Sequence, residues 1–214
     1  MPELPEVETV RRGLEPAMAG KVITRVALYR SGLRMPFPER MAEIIEGRRV
    51  VRLSRRAKYL LIHVGGDGTE DVMIVHLGMS GQMTVVRDIA GYNRRRHDHM
   101  ILSMEDGAGI VFNDARRFGM VMLTDSASLA AHAAFGGMGP EPLPDSFTGK
   151  VLREKLHGKT SSIKTALLDQ GVVAGVGNIY ASEALFEARI SPLRAAGQSN
   201  PRKLKGWPRR SAPY

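Results

Sequence analysis

Cysteine is absent from the sequence, and its absence excludes several kinds of site. Without thiols there is no disulfide, no thiolate nucleophile and no cysteine-ligated zinc. Apolar runs long enough to cross a membrane are absent too, and the N-terminus lacks the basic and apolar regions of a signal peptide. These absences predict an intracellular protein with no membrane partner.

Acidic residues are outnumbered by basic ones. The chain of 214 residues has 31 Lys and Arg against 22 Asp and Glu, a net charge of +9. Such a surplus favours a polyanionic partner such as nucleic acid. Five of these charges lie in the last fourteen residues, which contain no acid, and subtracting five from +9 leaves +4 for the rest. Charge alone therefore does not establish the partner.

The pattern of apolar residues divides the chain into two parts. Alternation typical of strands dominates before residue 136, after a first helix that we expect to end near Gly20. Helical spacing dominates from about residue 147. Between them, the run 136–144 is rich in Gly and Pro and cannot continue a strand or a helix, so it predicts a linker.

The stretch Pro2–Glu8 offers the most distinctive chemistry. Once Met1 is removed, Pro2 presents a secondary amine, and α-amino groups titrate near pH ~7.7–8.0. A neutral amine can attack a sugar carbon and form an iminium, with Glu3 and Glu6 as nearby carboxyl groups for proton transfer. The simpler interpretation is a helix start, with Pro5 in the first turn. The two interpretations are compatible.

Three further segments have both a functional and a simpler interpretation. Met79, between glycines in 76–81, is either a core residue or is held outward by a tight turn. Phe118, in 114–119, either anchors a polar loop or wedges between bases. The glycines of 171–178, followed by Asn178 as a helix N-cap, either form a plain turn or gather amides around a phosphate.

Two basic runs are also ambiguous. Lys58 closes the run 55–58, which is either a solvated strand edge or part of a site. His97, Asp98 and His99 invite a metal interpretation, but successive residues of a strand point to opposite faces, so we do not favour a metal there.

Four segments, in this order, resemble motifs of the formamidopyrimidine-DNA glycosylase family, bacterial enzymes that remove oxidised purines from DNA: Pro2–Glu8, His76–Gly81, Asp114–Gly119 and Gly175–Glu183. The resemblance ends at about Arg194. It implies an α+β fold in which an N-terminal helix and an antiparallel β-sandwich form a catalytic domain over 1–135. A linker at 136–146 and an incomplete helix-two-turn-helix domain over 147–196 would follow. The basic tail over 197–214 shows no pattern of a helix or strand, so we expect it to be disordered.

The resemblance also implies a role for each matching residue. Pro2 would be the nucleophile, Glu3 would protonate the sugar ring oxygen, Glu6 would orient the site, and Lys58 would assist strand cleavage. The expected DNA contacts are His97, Arg116, Arg117, Lys159, Lys164 and Asn178, and the expected duplex wedge is Met79, Arg116 and Phe118. The expected partner is double-stranded DNA containing oxidised purines or abasic sites, bound by a monomer in the bacterial cytoplasm.

The sequence departs from this family after Arg194. Family members continue with further helices and a zinc finger of four cysteines, which this chain lacks, so we expect no zinc and no other cofactor. Either the gene is truncated or frameshifted, or the basic tail replaces the finger electrostatically. Two other functions stay open: a damaged-DNA-binding remnant without catalysis, and the sister enzyme for oxidised pyrimidines. Leu4 favours the purine enzyme, because the sister typically has glycine there.

Overall fold

An N-terminal helix, α1, spans Leu4–Met18 in the computed structural model, which describes residues 1–66, 68–143 and 146–198. Its apolar residues recur at helical spacing, so Val7, Leu14 and Met18 are buried along one face. Gly20 follows with a φ of 80°, a left-handed conformation that glycine adopts without strain, and the helix ends as predicted.

Eight strands and one short α-helix lie between α1 and residue 126 in the part of the chain that the structure describes. The strands form two four-stranded antiparallel sheets, with orders β1-β6-β7-β5 and β2-β3-β4-β8. Helix α2, Met41–Ile45, lies between β1 and β2 in the chain. The strand bounds are β1 Ile23–Leu28, β2 Arg49–Arg56, β3 Tyr59–Gly66, β4 Thr69–His76, β5 Gln82–Val86, β6 Asp98–Met104, β7 Gly109–Asn113 and β8 Met120–Asp125.

Both sheets contribute to one apolar core. From one sheet come Leu60, Ile62 and Val75, and from the other come Met100 and Phe112, which are partners in the β6–β7 register. One face of each sheet is therefore covered, as an antiparallel sandwich requires. The predicted combination of an N-terminal helix and a β-sandwich is confirmed.

A cluster of charges attaches α1 to the edge strand β2. Glu8 forms ion pairs with Arg11 at 2.9 Å, with Arg12 at 2.9 Å and with Arg55 of β2 at 3.3 Å. Burial favours a higher pKa for Glu8, but the hydrogen bonds and charges of these arginines outweigh it and lower the pKa to about 2. The stability gained from this carboxylate is therefore lost only as the pH falls from 4.5 towards 2.

The later part of the chain is helical. It contains α3 at Gly149–Leu156, α4 at Ile163–Leu168, α5 at Asn178–Glu187 and a 3-10 turn at Ala196–Gln198. Side chains satisfy free amides at two of the helix starts, because Thr148 and Ser162 accept hydrogen bonds from Val151 and Thr165 respectively. A separate apolar core lies beneath these helices, formed by Leu152, Leu156, Ile163, Leu167, Val173 and Leu185 among others. The predicted helical region is confirmed.

The chain divides into two compact units. The first comprises Met1–Pro2 and Glu6–His132, and the second comprises Glu3–Pro5 together with the chain from Ala133 onward. The 3-10 turn reaches two residues into the predicted tail. Residues 199–214, Asp67, and Pro144 and Asp145 of the predicted linker lie outside the described residues. Within the described ranges, no helix has the length and apolar character needed to cross a membrane.

Replacing Phe112 by alanine should destabilise the first unit strongly. The side chain is fully buried, so its loss leaves a cavity and should lower the free energy of unfolding by about 3–5 kcal/mol. Phe118→Ala is the matched control, because Phe118 is 42% exposed and should change the free energy by about 1 kcal/mol or less. Urea unfolding of both variants measures the difference, and equal effects would contradict the assigned core.

Candidate functional site

The first residues of the chain are held by backbone and side-chain contacts. Pro2 is half-buried, and Glu3 is buried with 2% of its surface exposed. The amide of Leu4 donates to the carbonyl oxygen of Gly175 at 3.1 Å. This segment is therefore fixed immediately after the predicted nucleophile.

The carboxylate of Glu3 lies at the N-terminal end of α5. Its Oε2 accepts from the amides of Gly177 at 2.8 Å and Tyr180 at 3.3 Å, and its Oε1 accepts from the amide of Ile179 at 2.9 Å. Amides in a first helical turn have no partner within the helix, and the positive end of the helix dipole attracts a negative charge. The first turn of the helix therefore supplies hydrogen-bond donors to the buried carboxylate, and the carboxylate supplies the acceptors that these amides lack.

The predicted N-cap role of Asn178 is wrong. Gly177 is the capping residue, it makes no side-chain cap, and Asn178 is the first helical residue with an exposed side chain. The local capping rule fails here because Glu3, far away in the sequence, takes the place of a cap. One amide of the predicted phosphate-binding segment, that of Gly177, and two in the following helical turn are consequently bound to Glu3 already.

The glycines of this segment serve close packing. A Cβ atom at Gly177 would collide with the carboxyl group of Glu3, and one at Gly175, whose φ is 90°, would collide with the side chain of Leu4. The absence of side chains lets the backbone reach Glu3 and Leu4, a role that the turn glycines do not reveal in the sequence alone.

Lys58 lies in the turn between β2 and β3, where Ala57 has a φ of 51°. Its side chain is buried, with 7% of its surface exposed, so the predicted solvated edge is wrong at this residue. The ammonium acts electrostatically on His76 at the end of β4. A buried lysine is a common feature of functional sites.

His76 is held in its neutral form. Its Nδ1 accepts from the amide of Gly78 at 3.0 Å, and its ring lies 4.9 Å from that of Tyr59. Burial, followed by the positive charges of Lys58 and Arg34, lowers the pKa of His76 to about 4. Near pH 7 the imidazole is therefore an acceptor that fixes the turn carrying Met79.

The predicted wedge residues protrude from two loops. Met79 is 43% exposed and Phe118 is 42% exposed, so Met79 is not a core residue. The guanidinium of Arg116 lies over the Phe118 ring, 4.9 Å from its centroid. Arg117, next in the chain, is exposed and has a φ of 59°. Large apolar side chains exposed on loops fit insertion between bases.

The run around His97 forms an ordered basic loop. Asp98 is buried and accepts from the Tyr92 hydroxyl at 2.8 Å, the Arg95 amide at 2.6 Å and the Asn113 side chain at 2.8 Å. His97 is half-buried at the end of this loop. No group of three or more metal-ligating side chains occurs in the part of the chain that the structure describes.

The two predicted lysine contacts of the second unit differ. Lys164, in the first turn of α4, is half-buried and borders a cavity of about 520 Å³ with Phe186 and Arg189. Lys159 forms an ion pair with Asp169 at 3.2 Å, which partly neutralises its charge. Lys164 is therefore the stronger candidate for a phosphate contact.

Sequence reasoning missed the residues that hold the protruding ones in place. Asp114 is fully buried and binds the Ser80 hydroxyl, yet it was part of a motif with no role assigned. His76 and Asp98 hold loops in the same way. A polar residue directly beside a glycine-flanked exposed side chain is the signal that could have indicated Ser80.

Comparisons with known proteins agree with this geometry. The sequence matches the formamidopyrimidine-DNA glycosylase N-terminal domain over residues 1–121 and the H2TH domain of the same enzyme over residues 138–206. A formamidopyrimidine-DNA glycosylase of Ruegeria pomeroyi is 52% identical over 204 residues, which are 92% of this chain and 71% of that protein. One of Rhodospirillum rubrum is 51% identical over 197 residues, covering 92% and 69% respectively.

A solved structure supports the same relationship. The Lactococcus lactis formamidopyrimidine DNA glycosylase, bound non-covalently to DNA with an AP site, superposes with a TM-score of 0.86. The sequences are 34% identical, and the match covers 98% of this chain and 78% of the other. A mutant of that enzyme in complex with Fapy-dG containing DNA gives a TM-score of 0.87.

Titration of His76 should show a midpoint near pH 4. Between this value and 6.5 the unfolded chain binds more protons than the folded one, so the free energy of unfolding should fall as the pH is lowered through this window. Lys58→Met removes a nearby charge and should raise the pKa, while burial keeps it below 6.5. NMR of the imidazole protons measures the pKa of His76 in the unaltered chain and in Lys58→Met.

Lys21→Met is the control, because Lys21 pairs with Asp106 and is not among the charges that act on His76. A midpoint near 6.5 in the unaltered chain, or equal shifts in both lysine variants, would contradict this assignment.

Proposed function

Because the chain belongs to the formamidopyrimidine-DNA glycosylase family of base-excision repair enzymes, we propose that it excises oxidised purines from duplex DNA and nicks the strand. The observation that carries the proposal is the fixed carboxylate of Glu3 directly after Pro2. An N-terminal amine beside an oriented carboxyl group is suited to covalent catalysis at a sugar carbon.

In the proposed reaction, the secondary amine of Pro2 is the nucleophile. After Met1 is removed, its lone pair attacks C1′ of the deoxyribose, and the bond to the damaged base breaks with its electron pair leaving on the base. The proton on the Pro2 nitrogen passes to the Glu3 carboxylate, which gives it to the ring oxygen. The bond from C1′ to the ring oxygen then breaks, the sugar opens, and a C1′ iminium forms. Loss of a proton from C2′ then expels the 3′ phosphate, and hydrolysis of the iminium frees the amine.

The amides around Glu3 support its role in this scheme. Three hydrogen bonds hold the carboxyl group in one orientation, so little reorganisation is needed when a proton moves. Glu6 is exposed in the first turn of α1, and we propose that it orients the site. Lys58 is buried, which suits transfer of a proton during strand cleavage.

We propose that the flipped nucleotide is replaced in the duplex by protruding side chains. Met79 would fill the gap, Arg116 would face the orphaned base and Phe118 would separate its neighbours. Phosphates would be bound by a set of polar and basic side chains: His97, Arg117, Lys159, Lys164 and Asn178. The amine and carboxyl groups named above supply the chemistry, so we propose that the reaction uses no cofactor. We also propose that the protein is a monomer and acts in the bacterial cytoplasm.

The choice between oxidised purines and pyrimidines is open to direct test. Solved structures of the Lactococcus lactis relative include complexes with Fapy-dG containing DNA and with an oxidised pyrimidine containing DNA. We propose purines as the preferred substrate, on the resemblance of the Leu4 and Met79 segments to the purine enzymes. Comparing kcat/KM on duplexes that differ only in the damaged base decides this point.

Borohydride trapping should yield a covalent adduct at Pro2. The duplex carries one 8-oxoguanine opposite cytosine, and mass mapping locates the reduced bond. Pro2→Gly should form the adduct much more slowly while it keeps duplex binding, because the glycine amine is primary and is not held in place by a ring. Pro38→Gly, a proline outside the N-terminal segment, is the control and should trap normally.

Three outcomes distinguish the alternatives. Adduct formation at residue 2 that Pro2→Gly slows strongly, while Pro38→Gly does not, supports the mechanism. Unchanged trapping in Pro2→Gly, or an adduct at a lysine, defeats the nucleophile assignment. Duplex binding without any adduct, from folded protein shown by mass to lack Met1, identifies a damage-binding protein without catalysis.

A further inference from the structure

The protruding side chains belong to two loops that are separate in the sequence. The first loop, residues 77–81, joins β4 to β5 and carries Met79. The second, residues 114–119, joins β7 to β8 and carries Arg116 and Phe118. Three side chains on two loops can act together only if the loops hold a fixed relation to each other.

One buried carboxylate binds both loops. Asp114 has no exposed surface; its Oδ1 accepts from the Ser80 hydroxyl at 2.5 Å and its Oδ2 accepts from the Gly119 amide at 2.8 Å. The first contact crosses between the loops, and the second closes the far end of the second loop. Charge-assisted hydrogen bonds of this kind are stronger than neutral ones.

The hydroxyl of Ser80 makes a second contact across the gap. While it donates to Asp114, it accepts from the Arg116 amide at 3.1 Å. A hydroxyl group can donate and accept at once, which neither an alanine methyl nor a carboxylate can do. Ser80 therefore sits between the carboxylate and the backbone that presents Arg116.

The surrounding packing leaves the loops little room to move separately. A Cβ atom at Gly78 would collide with the backbone of Phe118, so the two loops are in direct contact. Cβ atoms at Gly81 and Gly119 would collide with the buried ring of Phe112, on which both loops rest. Tight packing of this kind transmits a displacement of one loop to the other.

We propose that Ser80 and Asp114 are positioning residues that make the two loops one rigid insertion element. Met79, Arg116 and Phe118 would then enter the duplex together, with their relative positions set before binding. The inference rests on the proposed insertion of these side chains into DNA. Pre-organisation of a binding element increases affinity because less freedom is lost on binding.

The test measures insertion without chemistry. A duplex with a tetrahydrofuran abasic analogue opposite cytosine has no base to excise, and 2-aminopurine beside the analogue becomes brighter when it is unstacked. Ser80→Ala should weaken binding to this duplex about tenfold and reduce the fluorescence rise. Ser80→Thr keeps the hydroxyl and should restore both, while Ser103→Ala, a serine of β6 outside the loops, should leave both unchanged.

A double-mutant cycle separates positioning from general stability. Met79→Ala removes a side chain that Ser80 would position, so Ser80→Ala should have much less effect in the Met79→Ala background than alone. Thermal unfolding of each variant confirms that it is folded. Asp114→Asn is a second variant that tests the same contacts, because an asparagine amide has one acceptor oxygen in place of the two carboxylate oxygens.

Two results would overturn the inference: additive effects of Ser80→Ala and Met79→Ala, or a Ser80→Ala variant that behaves like Ser103→Ala. The tetrahydrofuran duplex undergoes no excision, so insertion is measured independently of catalysis. A chain that inserts normally into this duplex but forms no adduct at Pro2 on the 8-oxoguanine duplex contradicts the proposed catalysis and leaves this inference intact.

Discussion

The hydrogen bonds between the Glu3 carboxylate and the first turn of α5 are the interaction on which the candidate site depends. A buried carboxylate without partners is strongly unfavourable, and so are buried helical amides without acceptors. Each group satisfies the other through three hydrogen bonds. Gly177 lacks a side chain because a Cβ atom would occupy the place of this carboxyl group.

This constraint determines where the proposed chemistry can occur. Pro2 is joined by one peptide bond to Glu3, and the position of the Glu3 carboxyl group is set by a helix. The amine of Pro2 is therefore restricted in where it can lie. The same logic recurs at the wedge loops, where a buried acid, Asp114, fixes exposed side chains. In both places an exposed or reactive group is held in position by a buried carboxylate that accepts hydrogen bonds from backbone amides.

Hydrophobic spacing predicted the helical and strand-like regions, and the family resemblance predicted how they are arranged, but neither predicted the contacts that define the site. The pattern in α1 and the alternation in the strands depend on neighbouring residues, so the helix end at Gly20 and the strand-rich first part of the chain could be predicted. The N-cap at Asn178 could not, because its competitor, Glu3, is 174 residues from the bonded Gly177. The pairing of Ser80 with Asp114 could not be predicted either, because local rules do not relate residues of two separate loops. The roles taken from the family resemblance stay predictions.

Amide hydrogen exchange at Ile179 and Tyr180 measures whether the Glu3 carboxylate holds the first turn of α5. In the unaltered chain both amides should be protected, and Glu3→Gln, which removes the charge, should speed their exchange by about tenfold or more. Glu6→Gln removes an exposed carboxylate from the same segment and should leave both rates unchanged. Equal exchange rates in the unaltered chain and in Glu3→Gln would show that the carboxylate does not hold the first turn of α5, which contradicts the proposed site.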